Sequence, residues 1–205
     1  MTMWPALEHP VIYNTVQWLV GAERPRRYCV REHGNAHPGT RVIDIGCGPG
    51  LALRYLPRVE YVGFDPSPTY IAWAKRRFGG RGRFECGTFD AAAADALGPY
   101  DLVLLLGTIH HCDDETARVL FADVARGLAP GGRAITLDPC FTPEQSGLAR
   151  AVARADRGRH VRSPQAYRDL AEPLLATHAS EVRDGMLLIP TTVHIGVFTN
   201  AQRAS

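Results

Sequence analysis

Between Val42 and Gly50 the chain reads Val-Ile-Asp-Ile-Gly-Cys-Gly-Pro-Gly, a strand-forming run that breaks into glycines at alternate positions. Glycine permits a tight turn and lets a ligand approach the backbone closely. A short helical segment, Leu51 to Leu56, follows. Strand, glycine turn and helix together form the usual cradle of a nucleotide-like ligand, and a bare tight turn is the plain alternative. Three details select among ligands. The spacing is G-x-G-x-G, not the G-x-G-x-x-G that cradles a pyrophosphate. Asp44, two residues before the first glycine, would attract an ammonium group and repel phosphate. Asp65 closes Val62-Gly63-Phe64-Asp65, where a carboxylate can accept both hydroxyls of a ribose. No Walker lysine follows the glycines, which argues against ATP. The pair of carboxylates points to an adenosyl ligand that carries positive charge.

A second group with chemical potential is Gly107-Thr108-Ile109-His110-His111-Cys112-Asp113-Asp114, directly after the apolar run Asp101 to Leu106. One histidine, His111 or His110, can accept a proton near neutral pH. Asp138, at the end of the run Arg133 to Leu137, is a plausible neighbour to orient or ionise it. The competing reading is that both histidines pack and hydrogen-bond within the loop while Asp113 or Asp114 caps the next helix. A metal site is a third reading, but adjacent loop residues seldom converge on one ion and no second ligand cluster completes a set. No metal is expected.

Five β-rich runs must position these groups: Arg41 to Ile45, Tyr61 to Phe64, Arg83 to Cys86, Asp101 to Leu106 and Arg133 to Leu137. They alternate with helical patterns, as in a parallel sheet with covering helices. Leu102 to Leu106 is apolar at every position, as a strand covered on both faces should be. Ser67-Pro68 and Ser163-Pro164 read as helix starts, Gly79-Gly80 as a stop, and Thr142 to Gln145 as a capping box. A helix is expected near Val11 to Val20. Val182 to Ile189 and Thr192 to Thr199 are strand-like and separated only by a turn at Pro190, which permits only an antiparallel pair. The fold expected is α/β, Rossmann-like and doubly wound. Its sheet has seven mostly parallel strands ending in an antiparallel hairpin, with helices on both faces.

The order of these motifs resembles the class I S-adenosylmethionine-dependent methyltransferase superfamily over nearly the whole chain. VIDIGCGPG resembles its first motif, YVGFDPSP its second-strand acidic motif, and LAPGGRAITLD the stretch into and along its fifth strand. YDLVLLLGTIHHCDD is similar to the fourth strand and loop of members that act on small molecules. YNTVQWLVGAERPRR and DRGRHVRSPQAYRDLA resemble a narrower group of compact bacterial methyltransferases. The resemblance implies S-adenosylmethionine as cofactor, with Asp44, Gly46, Cys47 and Gly48 lining its methionine end and Asp65 holding the ribose beside Pro66 and Phe64. Gly107 would border the same site. After the third strand the family often places an acidic residue against the adenine amine. Here Thr88 stands there, next to Phe89, and either Thr88 or Asp90 would supply the acceptor.

The chain of 205 residues is expected to be one domain, with a helical cap at residues 9–28 and a lid-like helical insert at 139–176. The helix from Pro164 looks surplus to the fold. Arg150, Arg154, Arg157, Arg159, Arg162 and Arg168 crowd that insert, and with Tyr13 and Trp18 they could wall an acceptor site. Arg157 and Arg162 are the candidate holders of a substrate carboxylate or phosphate. The plain reading is that these arginines are solvated or paired with Asp156, Asp169 and Glu172. A net charge of +2 with no clustered basic face argues against nucleic acid. No apolar run approaches the roughly 20 residues of a membrane span. The start Met1-Thr2-Met3-Trp4-Pro5 lacks a signal pattern and the five cysteines lack paired spacing, so a reducing cytoplasmic location is expected. The partner implied is a small-molecule methyl acceptor with an oxygen, nitrogen or carbon nucleophile, the protein being a monomer or homodimer. A methyltransferase-fold module that acts on a macromolecule, or binds the cofactor without transfer, is the alternative.

Overall fold

The computed structural model describes residues 20–156 and 158–200. Seven strands form one sheet: β1 (Arg41–Ile45), β2 (Glu60–Asp65), β3 (Arg83–Cys86), β4 (Tyr100–Leu106), β5 (Leu128–Pro139), β6 (Leu175–Asp184) and β7 (Thr192–Asn200). Their order is β3-β2-β1-β4-β5-β7-β6. The first five are parallel, while β7 inserts antiparallel between β5 and β6. The helices are α1 (Glu23–Tyr28), continued by a π-helical turn at Cys29–His33, then α2 (Pro68–Phe78), α3 (Ala91–Leu97), α4 (Asp114–Gly127), α5 (Gly147–Arg154) and α6 (Pro164–Ala171).

Strand periodicity divides the core in two. Val103 and Leu105 of β4 join Ile43 and Ile45 of β1 on one face, beneath Ala117, Leu120, Phe121 and Val124 of α4. Leu102 and Leu104 face the other way with Val42, against Ile71, Ala74 and Phe78 of α2 and Cys29 and Val30 of the π turn. Each fully buried leucine contributes about 1.5–3 kcal/mol relative to an exposed one. A continuous apolar run is what a strand covered on both faces demands.

Caps fix the helix starts. Ser67 Oγ accepts from Tyr70 N at 3.3 Å, Asp113 Oδ1 from Thr116 N at 2.8 Å and Ser163 Oγ from Ala166 N at 3.2 Å. The expected capping box at Thr142 does not form. Gln145 donates its amide to Cys140 O instead, and the helix starts four residues later, where Ser146 Oγ caps Ala149 N. The helix from Pro164 is well packed. Tyr167, Leu170 and Ala171 of α6 are buried in the same core as α4. The strand expected at Val182 to Ile189 is in fact β6, which begins at Leu175 and ends at Asp184. The apolar stretch after it is a connection: Met186 and Leu187 pack on the second core, and Leu188 N bonds to Val20 O at 2.8 Å. The helix expected near Val11 to Val20 lies almost entirely outside the described residues.

Candidate active site

β1 delivers Asp44 to the carboxyl end of the sheet and then turns through Gly46, Gly48 and Gly50, with φ of 72°, 53° and 75°. These are left-handed values that L side chains rarely adopt. At Gly46 a side chain would also lie 2.6 Å from Thr108 Oγ1, and at Gly50 2.9 Å from the Phe84 ring. Gly46 N and Cys47 N both donate to Phe64 O, at 2.8 and 2.9 Å, which ties the turn to β2. Thr108 Oγ1 donates to Ile45 O at 2.8 Å and ties it to the loop after β4. Gly107, with φ of 84°, donates to Leu137 O at 2.7 Å.

Asp44 lies on the second core face, in line with Val42, and is only 2 % exposed. Among the described residues Tyr61 bonds it, the tyrosine hydroxyl donating to Oδ2 at 2.6 Å. Space for the tyrosine ring exists because Gly63 and Gly82 stand beside it: a Cβ at either would lie 3.0 or 2.6 Å from a ring carbon. Burial pushes the Asp44 carboxyl up to about 6, against the opposing effects of the Tyr61 bond and the Arg26 charge. Arg26 of α1, Asp44, Gly46, Cys47, Pro49 and Leu106 line a small crevice. Neither Tyr61 nor Arg26 was legible as a site residue in the sequence. Tyr61 reads as a strand residue and Arg26 as one of several arginines near the start.

Asp65 points at the same turn. Its Oδ2 accepts Gly48 N and its Oδ1 accepts Ser67 N, both at 2.8 Å. Burial raises its pKa and the two backbone donors oppose that rise. A carboxylate accepts about four hydrogen bonds, so two backbone partners leave capacity for a ligand. Gly87 N donates to Asp65 O at 3.1 Å, bringing the loop after β3 alongside. Pro66 and Thr88 are exposed there. Phe89 turns inward, edge-on to Phe64 at 5.4 Å, so it backs the site rather than facing it. Asp90 is committed as the cap of α3 through Ala93 N at 2.9 Å, which leaves Thr88 as the polar side chain at that position.

The two histidines separate cleanly. His110 is 5 % exposed. Its Nδ1 lies 2.7 Å from Asp138 Oδ1, which also accepts the His110 backbone N–H at 3.1 Å. Its Nε2 lies 3.2 Å from Asp156 Oδ1. Burial alone would lower the pKa of this ring, but the two carboxylates outweigh it and raise the value to about 9. The two carboxylates thus favour the protonated form of His110, and each ring nitrogen faces one of them. Asp138, 1 % exposed, orients this cation and does not reach the crevice surface. His111 is exposed, its ring centroid 4.1 Å from that of His110.

Arg162, expected as a holder of a substrate anion, is bonded to the protein itself. Its Nε donates to Asp114 at 2.9 Å, Nη1 to Ile109 O and His160 O, and Nη2 to Cys112 O and Asp114. Guanidinium has five N–H donors, and all are spent on the protein. Tyr13, Trp18 and Arg157 lie outside the described residues. Among the described residues no group of three or more His, Cys, Asp or Glu side chains is gathered for a metal ion.

Residues 42–132 match the family model of a methyltransferase domain. Phosphoethanolamine N-methyltransferase 1 of Arabidopsis thaliana is 30% identical over 66% of this chain and 28% of its own length. Trans-aconitate 2-methyltransferase of Streptomyces avermitilis is 32% identical over 62% of this chain and 54% of its own. The chain thus spans from about a quarter to about half the length of the curated relatives it matches. Among solved structures, the N-methyltransferase NodS of Bradyrhizobium japonicum, in complex with S-adenosyl-L-homocysteine, superposes with a TM-score of 0.64 at 16% identity. That match covers 88% of this chain and 87% of that one. Geranyl diphosphate C-methyltransferase of Streptomyces coelicolor does so with a TM-score of 0.64 at 16% identity, over 87% and 76%. Both likenesses are of fold.

Proposed function

We propose that this chain is a class I S-adenosylmethionine-dependent methyltransferase and that it transfers a methyl group from S-adenosylmethionine to a nucleophilic oxygen, nitrogen or carbon of a small molecule. The observation that carries this reading is the placement of Asp44 and Asp65 at the ends of adjacent strands, on either side of one glycine turn. The residues present suit the cofactor. The buried Asp44 carboxylate, steadied by Tyr61, matches an ammonium group. Arg26, on the same crevice, matches a carboxylate. Asp65, fixed by Gly48 and Ser67, matches the ribose hydroxyls, with Pro66 and Thr88 beside it for the adenine.

Bound there, S-adenosylmethionine supplies an electron-poor methyl carbon on a sulfonium, open to in-line attack. This chain's own residues bind, align and exclude water. Alignment is worth roughly 7–11 kcal/mol in favourable intramolecular models, so a strong base is not obligatory. Where the acceptor must lose a proton, we assign that proton to His111, the exposed histidine, since both nitrogens of His110 are engaged by carboxylates. A small-molecule acceptor is favoured over a nucleic acid by the mild net charge. We place the protein in the cytoplasm, as a monomer or homodimer. No helix among the described residues is long and apolar enough to cross a membrane.

Calorimetry of the purified protein with S-adenosylmethionine and S-adenosylhomocysteine tests the cofactor, and formation of S-adenosylhomocysteine across an acceptor panel tests transfer. Absence of binding up to about 1 mM ligand, weaker than about 4 kcal/mol, would overturn the reading.

A further inference from the structure

We propose that Asp156 and Gly158 to Arg162 form a strap closed over the loop after β4, with His110 as the positioning residue that rivets the strap to the sheet. The two ring nitrogens of His110 reach in opposite directions. Nδ1 bonds Asp138 on β5 at 2.7 Å, and Nε2 makes an ion-pair contact with Asp156 on the strap at 3.2 Å. The strap closes further through His160 N, which donates to His110 O at 3.0 Å. Arg162 then binds carbonyls on both sides of the seam, Ile109 O and Cys112 O on the loop and His160 O on the strap.

Gly158 is the point of closest approach. A Cβ there would lie 1.9 Å from His110 Cδ2 and 2.7 Å from His110 O. The strap backbone thus lies against the imidazole, and no side chain fits between them. Asp156 holds its own turn through Gly158 N at 2.7 Å, so the residue that meets the ring also shapes the contact.

The two ends of the rivet differ. Side-chain exposure is 1% at Asp138 and 38% at Asp156, so the outer contact is the one water can reach. Loss of a proton from His110 leaves one N–H for two carboxylates. The shorter, buried bond to Asp138 keeps it, and a nitrogen lone pair is left facing Asp156. The strap then loses an ion-pair contact and gains a repulsion. The charged and titratable groups facing this ring are Asp138 from β5, Asp156 from the strap and His111 from its own loop. Arg162, His160 and Asp113 lie at the rim, with Asp114 paired to Arg162. Among the described residues no other cation lies between the two carboxylates. That the strap borders the acceptor side of a methyl-transfer crevice rests on the function proposed above, whereas its closure does not.

Hydrogen exchange followed by mass spectrometry on the full chain tests closure directly. At pH 7, peptides over Gly158 to Arg162 should exchange at least about tenfold faster in Asp156→Ala than in wild type. Exchange over α2 should be unchanged. In wild type, after correction for intrinsic rates, protection of the strap should fall as pH rises from 8 to 10. Gly158→Ala, which leaves every charge in place, should open the strap at all pH values. S-adenosylhomocysteine affinity in Asp156→Ala should stay within about twofold, which separates this test from that of the cofactor site. Equal strap exchange in wild type and both variants, or strap protection that does not change between pH 8 and 10, would overturn the proposal.

Discussion

Tyr61 and Asp44 meet across two neighbouring parallel strands, hydroxyl to carboxylate at 2.6 Å, on a face that is otherwise apolar. Register alone does not bring them together, since Tyr61 pairs with Val42 and Asp44 with Gly63. The tyrosine reaches forward because Gly63 has no side chain to block it. A carboxylate taken from water at a cost of several kcal/mol is thus held with one strong donor and its remaining acceptor capacity toward the crevice.

Removing that donor should weaken the cofactor site without unfolding the protein. Tyr61→Phe is expected to lower S-adenosylmethionine affinity about tenfold at pH 7, the equivalent of one hydrogen bond to a charged group. Asp44→Asn, which removes the charge itself, should cost more. Titration calorimetry on the two variants checks the order. A Tyr61→Phe affinity equal to wild type would detach the tyrosine from the site.

The same carboxylate sets a pH dependence. Burial holds Asp44 at about 6, above its ordinary value of 3.8, so the ligand-free protein takes up a proton as pH falls through 6. A cationic ligand prefers the ionised form. Affinity should therefore be near its plateau at pH 7 and about tenfold lower at pH 5, with proton release on binding near pH 6. Asp44→Asn should lose this dependence; a pH profile shared by both proteins would assign it elsewhere.

Much of this site was legible in the sequence, because its parts are local. Gly46, Gly48 and Gly50 announce a turn by type and spacing, and Asp65 is fixed to the end of its strand by the apolar run before it. The strands Arg41–Ile45 and Arg83–Cys86 have the limits their patterns imply. What was illegible depends on distant partners. β6 is an edge strand whose outer positions are exposed, so Leu175 to Glu181 carries little apolar signal, whereas Met186 to Ile189 is apolar yet only a connection. His110 and His111 are alike in sequence and differ only in which one faces Asp138. Arg162 resembles any other arginine of its stretch until the carbonyls of Ile109 and Cys112, some fifty residues away, take its donors.

His110, like Asp44, has a folded pKa above its ordinary value, so it too contributes stability that is lost as pH rises. Its folded pKa of about 9 lies above the ordinary 6.5, so its contribution is fully present below pH 6.5 and is lost as pH rises through 9. The full effect of such a shift is about 3 kcal/mol. Denaturant unfolding of wild type should show stability falling by that order between pH 6.5 and 10. His110→Asn should be less stable at pH 6.5 and lack most of the slope. Parallel slopes in the two proteins would mean that His110 is not the cation between Asp138 and Asp156.

Arg162 distinguishes a substrate-binding arginine from a structural one. A guanidinium that holds a substrate anion keeps donors for it, and its replacement by lysine raises KM while leaving the fold intact. Here all five donors bind the protein and the side chain is 9 % exposed. Lysine supplies at most three donors from a single point, so Arg162→Lys must abandon some of the carbonyls of Ile109, Cys112 and His160 or the bidentate pair with Asp114. Each buried acceptor left unpaired costs about 1–3 kcal/mol. Arg162→Lys should therefore be destabilised by about 2 kcal/mol in denaturant unfolding, and Arg162→Ala by more, even with no acceptor present. If Arg162→Lys unfolds at the wild-type denaturant midpoint and only the Michaelis constant for an anionic acceptor changes, the guanidinium belongs to the substrate after all.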